Sequence, residues 1–122
     1  MAIQDQELIT LRQRTLQFLV HSFLYYKLGE PIISDAFFDQ LTEELRNLRA
    51  KHPDAELPHM TLIEPVLGAE ASAFQIKTYP PGIISAAFKL LYALEGSEEN
   101  VPFDEFTARR GYQTLHQADN NP

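Results

Sequence analysis

Residues 25–41 read YYKLGEPIISDAFFDQL. Gly29 suits the left-handed residue that follows a helix end, and Pro31 cannot continue that helix. Ser34 offers a hydroxyl to a free amide of a new first turn, and Asp35 complements the positive end of its dipole. Two helices joined by so short a corner form an antiparallel hairpin.

Apolar periodicity extends both arms. The first helix is predicted over about residues 4–28, with Leu8, Leu11, Leu16, Leu19, Val20, Phe23 and Leu24 on one face. The second covers about 35–51, with Phe38, Leu41, Leu45 and Leu48 as its stripe. Arg46, Arg49 and Lys51 lie near its negative end, and His52-Pro53 closes it. From Pro53 to Pro81, five prolines interrupt any long element. This connection is expected to pack through Leu57, Leu62, Val66, Leu67 and Phe74, with a short helix near Ala69–Phe74. A third helix is expected over Ile83–Leu94, apolar nearly all round and therefore central to the core, with Ile84, Ala87, Phe88, Leu91 and Leu94 in register. GSEEN, residues 96–100, reads as a solvated turn. A fourth helix falls within Phe103–Gln117, weakened by Gly111, and residues 118–122 read as a disordered tail. The expected fold is all-α: one domain over 1–117, built from the hairpin, a Pro-rich connection and one or two C-terminal helices.

Composition narrows the function. The 122 residues carry a net charge of −7 with basic residues scattered, which argues against independent duplex DNA binding, since phosphate neutralisation needs a basic stripe. No apolar run approaches the ~20 residues of a membrane span, and the N-terminus lacks a signal-peptide pattern, so a cytoplasmic protein is expected. Without cysteine there is neither disulfide nor thiolate chemistry. Phosphate-binding glycine loops, GxSxG and HExxH are missing, and His21, His52, His59 and His116 lack ligand spacing, so no metal is expected.

One constellation remains. The corner brings Tyr25 and Tyr26 toward Asp35, Phe38 and Asp39, and the two aspartates, four apart, share a helix face. Ring faces beside paired carboxylates suit a flat cationic ring carrying a sugar, such as an oxidised nicotinamide nucleoside. The same residues also suit a plain hairpin corner, in which Tyr25 and Phe38 pack, Asp35 starts a helix and Asp39 is solvated.

The pattern H-x-x-L-Y-Y-x-L-x-x-P-x-I-S-D-A-x-x-D-x-L over His21–Leu41, followed by L-x-x-L-x-x-K-H-P over Leu45–Pro53, resembles the N-terminal Ia domain of bacterial NAD-dependent DNA ligases. A looser likeness continues through Val66–Ile83. The resemblance implies a small helical module that binds the nicotinamide mononucleotide (NMN) half of NAD and closes over an adenylylation domain. It implies that Tyr25 and Tyr26 stack on the nicotinamide or hold its phosphate, and that Asp35 and Asp39 bind the ring amide and ribose. Phe38 departs from the family's tyrosine and gives up one hydrogen bond, about 0.5–1.5 kcal/mol net. Phe37 stands where the family has glutamate.

The Lys-x-Asp-Gly nucleophile motif of the ligases is absent from these 122 residues, and no adenylylation domain is read within them. A non-enzymatic, stand-alone module is therefore expected, one that binds NMN or NAD and assists a separate adenylyltransferase or ligase chain. The alternative is an interaction protein that uses the ligase-derived scaffold to bind a DNA ligase or another replication or repair protein. A third class, a free-standing NAD-cleaving hydrolase, needs an activated acid or nucleophile, for which Asp35 and Asp39 are the residues to nominate.

Overall fold

The computed structural model describes residues 3–67 and 76–113. Among these residues every regular element is helical: α1 (Ile3–Ser22), continued by a wider π-helical segment (Phe23–Leu28), then α2 (Asp35–Lys51), α3 (Met60–Val66), α4 (Pro81–Glu99) and α5 (Phe103–Ala108). The chain divides into two compact units, Met1–Thr78 and Tyr79–Pro122. The expected helix near Ala69–Phe74, the packing of Phe74, and the tail lie outside the described residues.

The first unit is built on the hairpin. Gly29 ends the π segment at φ 67°, a conformation that costs a residue without Cβ little. The Leu24 carbonyl accepts from the Gly29 amide and also from that of Glu30, at 2.9 Å. On the other side of the corner, the Ser34 hydroxyl accepts from the Phe37 amide at 3.1 Å, as its N-cap position requires. Antiparallel register is fixed along the whole length. Glu7 near the start of α1 accepts from Lys51 (3.3 Å) and meets His52 Nε2 (2.9 Å) at the end of α2, and Arg14 pairs with Glu44 in between.

The buried stripe of α1 differs from the apolar periodicity. Leu11, Thr15, Phe18, Leu19 and Ser22 are buried, whereas Leu16 is 40% exposed. Thr15 and Ser22 can occupy core positions because their hydroxyls donate to backbone carbonyls of their own helix, Thr15 to Leu11 at 2.8 Å and Ser22 to Leu19 at 3.0 Å. On α2, Phe38 and Leu45 are buried, and Leu41 and Leu48 are half-buried.

The Pro-rich connection contains a helix that its prolines obscured. His59, at φ 55°, turns the chain into α3, and Pro65 fits within it. Leu57, Ile63 and Val66 are buried. Arg49 ties this segment to the end of α2: its guanidinium donates to the carbonyls of His52 (3.2 Å) and Ala55 (2.6 Å) and pairs with Glu64.

In the second unit, Pro81 opens α4 at the first helical position, where its missing N–H costs nothing. The helix does not stop before GSEEN but runs through it to Glu99, and Asn100 at φ 54° ends it. The reason is the Tyr92 ring, which lies over Gly96 so closely that a Cβ there would overlap it, while the hydroxyl donates to the Val101 carbonyl at 2.7 Å. Ile83, not Leu94, belongs to the buried face, and Leu94 is 59% exposed, so α4 keeps a solvent side. The last described helix is shorter than the 103–117 window. It ends at Ala108, and a turn follows through Gly111 at φ 86°. Phe103 and Phe106 pack edge-on against Tyr92, with ring centroids 5.3 and 5.0 Å away.

Core position rather than hydrophobicity therefore decides stability. Leu45→Ala is expected to cost about 2–5 kcal/mol, whereas Leu16→Ala should stay within about 0.5 kcal/mol of the parent. Urea unfolding followed by far-ultraviolet circular dichroism measures both.

Candidate functional site

The corner end of the hairpin gathers the sequence-predicted cluster. The π segment supplies Tyr25 and Tyr26, and the first turn of α2 supplies Asp35, Phe38 and Asp39. A wider helical turn brings successive side chains closer in direction, and the two tyrosine rings lie 4.8 Å apart at 58°. Such segments are uncommon and are frequent at functional sites.

Phe38 connects the site to the core. Its ring is stacked on Phe18 (5.3 Å, 21°) and on Tyr25 (6.0 Å, 15°). Phe18 and Tyr25 are seven residues apart, about 10.5 Å along a helix, so the Phe38 ring sits between them. Exposure grows along this column, from Phe18 at 1% through Phe38 at 9% to the half-buried Tyr25. Tyr26 braces the column from the side, meeting Phe38 edge-on at 6.5 Å.

The aspartates are exposed and add charge to the ring cluster. Asp35 acts most strongly. Its carboxylate repels the phenolate form of Tyr25 and accepts from the Tyr25 hydroxyl, and together these hold the phenol above its ordinary value, with smaller contributions from partial burial, Tyr26 and Asp39. Asp35 is thus the main electrostatic neighbour of the Tyr25 phenol, and Asp39 is near enough for its charge to reach it. Asp39 also borders a groove of about 460 Å³ along α2, shared with Glu43, Asn47 and Lys51.

A second groove, about 340 Å³, runs between the helices and is lined by Arg14, Gln17, His21, Ile33, Phe37, Gln40, Leu41 and Glu44. Phe37 is 64% exposed on it, so this ring is not a core residue of the fold. Burial holds His21 below the usual imidazole value, and its Nδ1 is buried with no hydrogen-bond partner among the described residues. The signal for this groove lay in the sequence as two sets at helical spacing, residues 14, 17 and 21 and residues 37, 40, 41 and 44. No group of three or more metal-ligating side chains occurs among the described residues. Nor is any helix among them long and apolar enough to cross a membrane.

Residues 3–59, the hairpin and the loop that leads to α3, match the family model "DNA ligase-like, N-terminal NAD+-binding domain". DNA ligases are among the similar proteins. That of Roseiflexus castenholzii is 49% identical over 49 residues, 40% of this chain and 6% of the ligase. That of Myxococcus xanthus is 39% identical over 67 residues, 55% of this chain and 10% of the ligase. That of Symbiobacterium thermophilum is 33% identical over 90 residues, 73% of this chain and 12% of the ligase. The chain thus spans about an eighth or less of the length of these relatives. No solved structure matches it.

Two titrations follow from the electrostatics. Because the folded phenol of Tyr25 is raised above 10.0, its contribution to stability is whole below that value and is lost as pH climbs through the folded one. Tyr25 Cζ chemical shifts should therefore titrate above those of an unfolded-chain tyrosine, and Asp35→Asn should return them toward 10.0. His21 has the opposite sign. Its depressed folded value means that the unfolded chain binds the extra proton first, so stability is whole above 6.5 and falls as pH drops below it. Urea midpoints measured from pH 7.5 to 5 should fall less steeply in His21→Gln than in the parent.

Proposed function

We propose that the hairpin unit is a nicotinamide-nucleotide-binding module, taking NMN or the NMN half of NAD at its corner. The observation that carries this proposal is the meeting of two partly exposed tyrosine rings with an exposed carboxylate at the hairpin corner, within a stretch that matches an NAD+-binding domain. Tyr25 and Tyr26 offer π faces to the pyridinium, whose positive charge favours them further. Asp35 and Asp39 accept from ribose hydroxyls or the carboxamide, as charge-assisted hydrogen bonds. The described residues contribute binding and orientation. A lysine nucleophile on an adenylylation domain would attack the adenylyl phosphorus and expel NMN, and the module holds that leaving group in line. This assigns the module a place in DNA ligation or repair beside an adenylyltransferase or ligase chain, in the cytoplasm.

A second proposal rests on Phe37. An aromatic ring 64% exposed beside a groove is a surface for a protein partner, and a ligase or another replication or repair protein is the occupant that the hairpin's similarity favours. The two proposals part under the double substitution Asp35→Ala with Asp39→Ala. Nucleotide binding predicts saturable calorimetric heat with NMN and with NAD, lost in the double variant while the helical circular dichroism persists. No heat from the parent at millimolar ligand would remove the nucleotide proposal, and retention of partner capture in both proteins would favour the second.

A further inference from the structure

Phe38 has the sequence position of a ligand contact, but its surroundings assign it another role. Both stacked neighbours are nearly parallel to it, Phe18 at 21° and Tyr25 at 15°, and the ring keeps only 9% exposure. A third ring inserted between Phe38 and Tyr25 would need two contact spacings of about 3.5 Å each, more than the 6.0 Å between the centroids. A flat ligand therefore reaches the column only at its Tyr25 end. Tyr26 stands at the side of the Tyr25–Phe38 pair, since its centroid lies 4.8 Å from one and 6.5 Å from the other. It flanks the column without extending it.

We infer that Phe38 is a positioning residue: it does not touch the nicotinamide but backs Tyr25, transmitting the rigidity of the buried Phe18 to the ring on which the nicotinamide lies. The inference rests on nucleotide binding at this corner and specifies how the flat ring is received there. The pyridinium caps an existing three-ring column as its fourth member. A ring clamped from behind loses little freedom when a ligand stacks on it, so the ordering cost of binding falls. The phenylalanine in place of tyrosine then carries little penalty, because a hydroxyl at 38 is not what the ligand meets. The hydroxyl that matters is that of Tyr25, whose main electrostatic neighbour is Asp35.

The test is a double-mutant cycle on NMN affinity, with wild type, Phe38→Leu, Tyr25→Ala and the double variant, supplemented by Phe38→Tyr. Wild type must bind NMN. If it does not, the nucleotide-binding proposal fails and this inference falls with it. If it does, Phe38→Leu should weaken binding about two- to tenfold, the worth of an aromatic pair, and should have no further effect once Tyr25 is alanine. The Tyr25 Cζ titration should shift in Phe38→Leu, because the unbacked ring leaves Asp35, a change that general loosening at the far end of the hairpin would not produce. Phe38→Tyr should bind within about twofold of wild type, and this arm decides alone should Phe38→Leu not fold. Losses that add independently of Tyr25, or a Phe38→Tyr protein that binds more than fivefold tighter, would place residue 38 against the nucleotide and overturn the inference while leaving nucleotide binding intact.

Discussion

Phe38 stacked between Phe18 and Tyr25 sets the register on which the hairpin unit depends. One ring from α2 occupies the interval between two rings about two turns apart on the opposite arm, and this fixes how the arms align. Everything at the corner follows from that register. The π segment presents Tyr25 and Tyr26 side by side, Gly29 reverses the chain, and Ser34 restarts it with Asp35 in the first turn. At the far end, Glu7 meeting Lys51 and His52 repeats the constraint with charge. Ion pairs that keep part of their charge in solvent, such as Glu7 with Lys51, contribute little each. The buried rings and leucines supply most of the stability, and the ion pairs favour one register over its neighbours.

On the proposed reading, the same column joins stability to function. Its inner end is core, and its outer end is a half-buried tyrosine whose phenol feels the Asp35 charge. If the proposed ligand stacks there, a ring supported this way is ordered beforehand, which limits the entropy lost on association. The acidic surface around it is consistent with a cationic ring.

The corner was legible because its punctuation is local chemistry. Glycine at a helix end, serine at a helix start and proline between them act through their own backbone, and each was found where the sequence placed it. The hairpin arms were legible through their leucines, but the core face of α1 was not fully so. Thr15 and Ser22 are polar by composition and buried in fact, and Leu16 is the reverse, because a hydroxyl bonded to its own helix is satisfied without water. The π segment left no mark in periodicity. Prolines hid α3, since Pro65 fits within so short a helix. The extension of α4 through GSEEN accompanies Tyr92 packing over Gly96 four residues on, and Tyr92 in turn meets Phe103 and Phe106 beyond the helix end, contacts that override turn propensity. At the site, spacing brought the five residues together. It could not assign Phe38 its place, which depends on Phe18, a residue outside the motif.

The most direct measurement is a titration of the aromatic proton resonances of Tyr25 and Tyr26 with NMN, with adenosine monophosphate as the control. Binding at the corner requires a saturable upfield shift of the Tyr25 ring with NMN, from the ring current of a stacked pyridinium, with a smaller perturbation of the flanking Tyr26 and little change with the control. Unmoved tyrosine resonances at millimolar NMN, or shifts of equal size with both nucleotides, would contradict it.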